Sequence, residues 1–288
     1  MSLRADAPQN RHNSEQARWR DVSARLSADP ADGDLRLIIL AAHPDDETIG
    51  ASLLLSRHRE SFVAFLTDGA PRDRKLWSPA VKNSREEYAS IRRAEAAKAL
   101  SIPGVPERNI HWLGAVDQEA VLEIGRLTRA FAELLALVTP SVVIAHAYEG
   151  GHPDHDSAAV VARLAISVLE ERQRPLLLEM TSYHASNGRC VTGEFLNADA
   201  TPELSFDLDD SDRERKRRMM EAYSSQRLVL ENFPIEQERL RLASNYDFSQ
   251  PPHEGRLWYE CMGWAMTGER WRKLVMAAMA EFQEPSCR

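Results

Sequence analysis

Two tripeptides of identical composition, His43-Pro44-Asp45 and His152-Pro153-Asp154, stand more than a hundred residues apart in the chain. The first continues into Asp46 and Glu47, the second into His155 and Asp156. Only three cysteines occur, Cys190, Cys261 and Cys287, with no Cys-x-x-Cys pair, so a metal bound here must take nitrogen and oxygen ligands. His43, Asp46 and His155 could supply two imidazoles and one carboxylate, a set suited to zinc with positions left open for water and substrate. The same set also fits the Fe2+ facial triad. Asp45 is then free to act as a base on a water that the metal acidifies from a pKa of ~15.7 to ~7. That change corresponds to about 12 kcal/mol, so the ion would dominate nucleophile formation and Asp45 would mainly accept and shuttle the proton. His152 lies one helical turn before His155. It could stay off the metal and, as imidazolium, stabilise an oxyanion or protonate a leaving amine, with Asp154 holding its ring in the right tautomer. The plainer explanation of Asp45, Asp46 and Glu47 is capping of a helix N-terminus, which accounts for one or two carboxylates but has no use for His43.

The elements that must position these groups follow from the apolar pattern. Leu37 to Ala42 is a continuous apolar run of the kind buried on both faces of a sheet, and Pro44 keeps His43 extended, so the strand ends there. A helix over about 46–58 and a second strand, Ser61 to Thr67, follow. Ala70 to Asn83 form a long loop of the type that serves as a lid or binding loop. A helix over about 84–100 carries Arg92 and Glu95, spaced as a surface ion pair worth ~0.2–0.5 kcal/mol. Asn109 to Leu113 is a short strand, and Ile124, Leu127, Phe131, Leu134, Leu135 and Val138 form one helical face. Val142 to Ala145 is the next strand, ended by His146, and Pro153 fits the first position of the helix after it. Pro175 to His184 is a further strand. Leu204 to Leu208 alternates as a half-exposed strand, Asp210 or Ser211 could cap a charged helix through Tyr223, and a last helix covers about 268–282.

This alternation predicts an α/β fold, a Rossmann-like, mostly parallel sheet with helices on both faces. Ligands of such sheets collect beyond the carboxyl ends of the strands, so both tripeptides should reach one rim. Residues 1–34 are a polar N-terminal segment, expected to be loose before about 14, in which Trp19, Val22 and Leu26 could dock on the body. Residues 35–288 read as a single domain, with 201–288 as a C-terminal extension.

Acidic residues outnumber basic ones by 44 to 36, a net charge of −8 that argues against nucleic acid or an anionic membrane as partner. No run approaches the ~20 apolar residues of a membrane span, the N-terminus lacks the apolar core of a secretory signal, and few cysteines favour a reducing compartment. A cytoplasmic protein is expected. The sequence carries no signal of oligomeric state.

At Ala42-His43-Pro44-Asp45-Asp46-Glu47 and His152-Pro153-Asp154-His155 the chain resembles the PIG-L/LmbE family of zinc-dependent N-deacetylases. Supporting matches are Thr67-Asp68-Gly69, Arg92 and Glu95, and the Ser225-Gln226 region, so the resemblance covers roughly residues 35–230. It implies zinc on His43, Asp46 and His155, Asp45 as general base, and His152 assisting the transition state with Asp154 behind it. It also implies a Rossmann-like fold without a nucleotide, a substrate with an acetyl group on the amine of a sugar, and Arg92 as a substrate contact. Mycothiol-pathway members place an oxyanion tyrosine where this chain has Gly150. Tyr148, two residues earlier, takes that role if the Gly150-Gly151 turn allows it. His184 is a candidate to line the pocket, and so is His146, although a lone histidine at a strand end is more often scaffold. Trp77 could stack on a sugar or anchor its loop. The expected function is removal of an N-acetyl group from an amino sugar or glycoconjugate. The rivals are a non-haem iron oxygenase and a non-catalytic carbohydrate-binding relative. Asp45 beside the ligands speaks against the first, and the intact complement of base, ligands and second histidine against the second.

Overall fold

The computed structural model describes residues 8–28, 35–58, 60–197 and 201–283, with 8–14 and 283 described by backbone alone. Five strands, β1 (Leu37–Ala41), β2 (Phe62–Thr67), β3 (Ile110–Ala115), β4 (Val142–His146) and β5 (Leu176–Met180), run parallel. Two more, β8 (Glu203–Asp207) and β9 (Gln237–Leu242), extend the sheet antiparallel beyond β5, giving the order β3-β2-β1-β4-β5-β9-β8. The expected α/β fold is therefore present.

Both faces of the sheet are covered, which is why β1 is apolar throughout. Leu37, Ile39 and Ala41 face a core built from α2 (Asp46–Arg57), α3 (Arg85–Ser101) and α6 (Asp210–Ala222). Ile38, Leu40 and Ala42 face the other, built from α4 (Ile124–Val138), α5 (Pro153–Ser167) and α9 (Gly268–Gln283). All six apolar residues predicted for the face of α4 are buried. The first helix, α1 (Pro8–Ser27), docks through Trp19, Val22 and Leu26 onto the first core, as their spacing predicts. Residues 1–7 lie outside the described residues, and 8–14, expected to be loose, are helical.

The chain order reverses between β1 and β4, which are hydrogen-bonded neighbours whose connections leave to opposite sides. That switch point opens a crevice at their carboxyl ends, and each His-Pro-Asp tripeptide follows one of these two strands.

Two expectations need correction, and one strand was missed. The strand expected over Pro175 to His184 is two elements: β5 stays in the sheet, whereas β6 (Tyr183–Ser186) turns away to pair with β7 (Arg189–Thr192). Asn187-Gly188 between them has φ of +50° and +75°, the hairpin turn for which Asn-Gly is the favoured dipeptide. The cap of α6 is Asp209, whose carboxylate accepts the Asp212 N–H, rather than Asp210 or Ser211. Strand β9 was hidden by its charges, because Glu238 and Arg241 are buried in pairs, with Lys216 and Glu179 respectively. The C-terminal extension thus completes the sheet and, through Trp271 and Val275 of α9, the second core. Among the described residues no helix is long and apolar enough to cross a membrane.

Candidate metal centre

The junction from β1 to α2 is bent by force. Asp45 adopts φ +127°, a region that costs a non-glycine residue ~1–3 kcal/mol. Two buried groups hold it there. Glu47 accepts the Asp45 backbone N–H (2.9 Å), and Arg92 reaches both the Pro44 carbonyl and Asp45 Oδ2, the latter at 3.2 Å. Glu47 is itself fixed by Thr48 Oγ1 (2.6 Å) and the Tyr223 hydroxyl (2.7 Å). The capping explanation fails for Asp45, which stands at the N-cap of α2 and makes no side-chain cap bond.

His43, Asp46 and His155 converge. Asp46 Oδ2 lies 3.3 Å from His43 Nδ1, and Asp46 Oδ1 lies 3.2 Å from His155 Nε2. All three are buried, and their ligand atoms lie within 4.8 Å of one another. Donors at ~2.1 Å from a tetrahedral zinc stand about 3.4 Å apart, so the spacing fits such an ion. Protonation fits as well. Burial pushes His155 down to about 3, which leaves a neutral imidazole with a free lone pair. Burial would raise Asp46, but His155 and His146 outweigh it and keep the carboxyl ionised. For His43 burial is outweighed by Asp117, Asp154 and Asp46, which raise its affinity for a proton, and a metal cation would meet the same carboxylates.

The surrounding groups orient these donors. Asp154 Oδ2 sits 3.2 Å from His43 Nε2 and accepts the Gln118 N–H. A carboxylate on one ring nitrogen aims the other at a metal. The expectation that Asp154 holds His152 is therefore corrected: its carboxylate is 3.9 Å from His152 Nδ1, and that nitrogen accepts the Asp154 backbone N–H instead (3.1 Å). Because Nδ1 accepts, the hydrogen of neutral His152 is on Nε2, 3.8 Å from Asp117 Oδ1. Burial first, then the His43 charge, hold His152 well below its usual pKa, so it is neutral here rather than the expected imidazolium. Ser182 Oγ lies 3.2 Å from His155 Nδ1. His146 is scaffold, as a lone strand-end histidine suggested: it stacks on His155 at 4.0 Å and its Nε2 accepts the Ala42 N–H.

Asp117 was missed. It stands 3.3 Å from His43 Nε2 in the loop after β3, and the rule that sites gather at carboxyl ends of parallel strands is the signal that could have found it.

A cavity of about 620 Å³ opens on this centre and is lined by Asp45, Arg92, Asp117, His152 and Tyr183 besides the three convergent residues. Arg92 makes no ion pair with Glu95, contrary to the surface-pair expectation; Glu95 accepts from Ser224 and Ser225 instead. Arg92 Nε and Nη1 have no hydrogen-bond partner. Tyr148 is not in this cavity. Gly150, at φ +70°, turns the chain so that Tyr148 stacks on Trp271 and donates to the Gln250 carbonyl (2.9 Å). His184 is also outside it, on the face of β6 opposite to Tyr183, 3.7 Å from Glu149 and held down to about 4 chiefly by burial. Tyr183 faces the centre in its place, its ring 5.1 Å from that of His155. Gly151 is required beside it, since a Cβ there would stand 1.9 Å from the Tyr183 carbonyl. Trp77 anchors its loop by donating to the Pro71 carbonyl (2.7 Å).

Residues 38–166, which span both motifs, match the family PIG-L: GlcNAc-PI de-N-acetylase. Over 163 residues it is 26% identical to a 1D-myo-inositol 2-acetamido-2-deoxy-alpha-D-glucopyranoside deacetylase of Rhodococcus jostii (strain RHA1), covering 49% of this chain and 56% of that protein. The chain thus spans about half the length of that relative. Its fold is similar to that of the N,N'-diacetylchitobiose deacetylase from Pyrococcus horikoshii (TM-score 0.53, 18% identity, 80% of this chain and 85% of that one). It is similar too to GalB, the 4-carboxy-2-hydroxymuconate hydratase of Pseudomonas putida KT2440 (TM-score 0.51, 16% identity, 74% and 97%). Two reactions on one fold mean that the site, not the fold, must carry the functional argument.

Proposed function

We propose that this chain is a zinc-dependent deacetylase that hydrolyses the N-acetyl group of an N-acetylated amino sugar or its glycoside. The observation that carries the reading is the convergence of His43, Asp46 and His155 beside a carboxylate, Asp45, that neither caps the helix nor joins their set. The R. jostii relative, named for a deacetylase of an acetamido-sugar, supports the substrate class.

His43, Asp46 and His155 would hold the ion. When bound, it acidifies water and polarises the amide carbonyl, chemistry that Zn2+ supplies and to which Fe2+ is the alternative. Asp45, fixed by Arg92, accepts the proton of the attacking water at its carboxylate. His152 presents its Nε2–H to the oxygen on which negative charge develops. The proton that Asp45 accepts from the water is then delivered to the departing amine, and His152, whose Nδ1 accepts the Asp154 backbone N–H, stays neutral. Asp154 orients His43. The unpartnered nitrogens of Arg92 offer hydrogen bonds to the sugar. The amide C–N bond breaks, water supplies the hydroxyl of acetate, and the sugar leaves as the free amine.

The partner is a small molecule, and the free thiols of Cys190 and Cys261 fit a cytoplasmic setting. The test is the metal content of gently purified protein together with amine release from a panel of N-acetylated sugars. About one zinc per chain and a primary amine product are expected. Metal-free protein in which zinc restores no turnover on any of them would refute the reading, and oxygen uptake with a 2-oxo acid would point to an oxygenase.

A further inference from the structure

Gln118, in the loop after β3, adopts φ +70°, the left-handed region that glycine enters freely and other residues resist. The cause lies in the backbone. Asp154 clamps this turn with both of its oxygens, Oδ2 accepting the Gln118 N–H (2.6 Å) and Oδ1 the Ala120 N–H (3.1 Å). Glycine would meet the same clamp without strain. The turn therefore has no need of glutamine, and the reason for one must lie in its side chain.

Gln118 lines the cavity over the metal centre. Three other Asn, Gln or Thr residues line it too, and each spends its side chain on the protein. Thr192 donates to the Asn232 carbonyl (3.0 Å), Asn232 to the Leu228 carbonyl (2.9 Å), and Gln226 to the Tyr88 hydroxyl (2.6 Å). The Gln118 carboxamide has no hydrogen-bond partner among the described residues. Elsewhere on the lining, the side chains of Leu228 and Val229 in α7 (Arg227–Leu230) and of Met262, which follows α8 (Trp258–Cys261), have no hydrogen bond to give.

The clamp also fixes Gln118 relative to the reacting centre. The Asp154 oxygen that holds its N–H lies 3.2 Å from His43 Nε2, and Asp117, the preceding residue, lies 3.3 Å from the same nitrogen. A carboxamide carries one carbonyl acceptor and two N–H donors, so it can accept from one hydroxyl and donate to its neighbour. A pyranose presents such neighbouring hydroxyls around its ring, whereas a simple acetylated amine presents none.

We propose that Gln118 is a specificity-determining residue whose carboxamide hydrogen-bonds the ring hydroxyls of the amino sugar. The inference rests on the deacetylase reading above and names the side chain that selects a sugar over other acetylated amines.

The test compares the zinc-loaded full chain as wild type and as Gln118→Met, which keeps the length of the side chain and removes its hydrogen bonds. KM is measured for methyl 2-acetamido-2-deoxyglucopyranoside and for its 3-, 4- and 6-deoxy forms. With the wild type at least one deoxy form should show a KM raised about 3- to 10-fold, the worth of one hydrogen bond. In Gln118→Met the KM of the parent glycoside should rise to meet it, so that their ratio approaches unity while kcat and zinc content are kept. A ratio that survives in Gln118→Met, an equal loss on all four compounds, or a loss of zinc would overturn the inference, and turnover by the wild type would leave the deacetylase reading intact. Absence of turnover would count against the deacetylase reading alone, because binding then decides the inference. The parent glycoside, titrated against tryptophan fluorescence, should saturate the wild type at about 3- to 10-fold lower concentration than Gln118→Met. Equal saturation, or no binding to the wild type, would overturn the inference as well.

Discussion

Asp45 and Asp46 are adjacent and chemically identical, yet their surroundings separate their work. Asp46 is held ionised between two imidazoles, whereas burial pushes Asp45 up to about 7 against the pull of Arg92. Asp45→Asn should therefore retain the metal and lose ~10²-fold or more in kcat, whereas His155→Ala should lose the metal itself; metal analysis beside turnover checks both. The same environment sets the pH response. A base works only when ionised, so kcat/KM should be full above the Asp45 pKa and fall as pH drops through it. A bound cation joins Arg92 in favouring the carboxylate, which places that acid limb below about 7. Arg92→Leu should move it upward, and a pH–rate profile of the two proteins measures the shift. At this scale the sequence was most informative where two motifs echoed each other, since His43, Asp46 and His155 carry their chemistry in type and spacing. Asp117 had no such echo. Tyr148 and His184 were misplaced because the direction of a side chain after a turn depends on backbone angles, at Gly150 and in the Asn187-Gly188 hairpin, that residue type constrains only loosely.

Among the elements, the parallel strands and the helices between them were legible from continuous apolar runs and helical periodicity, because burial on both faces writes itself directly into composition. Strand β9 was not, for the opposite reason. Its Glu238 and Arg241 are buried as partners of residues distant in sequence, and local pattern carries no record of them. The last helix illustrates how far such contacts reach. Trp271 of α9 is fully buried and its indole N–H donates to the Pro153 carbonyl (3.0 Å) and Ser157 Oγ (3.1 Å) at the start of α5, the helix that carries His155. Trp271→Ala should cost about 3–5 kcal/mol, seen as a lower urea midpoint. A midpoint unchanged from wild type would show that α9 is not integral to the second core.

Taken as a whole, the molecule gathers its site from segments far apart in sequence, and the crossing of the chain between β1 and β4 creates the rim on which they meet. One local feature of that rim affects the entire fold. Asp45 occupies a backbone conformation that glycine adopts freely and other residues resist. Of two variants that both lack the carboxylate, Asp45→Gly should be more stable than Asp45→Ala by about 1–2 kcal/mol, readable as a higher midpoint in thermal or urea unfolding. Equal midpoints would show that Asp45 stores no strain. On the proposed function, with Asp45 as the base, selection for turnover and selection for persistence therefore pull this position in opposite directions. Descendants of this chain released from the need to catalyse should drift toward glycine at position 45 while the neighbouring histidines are still in place, so that the loss of activity is recorded first in the backbone beside the ligands.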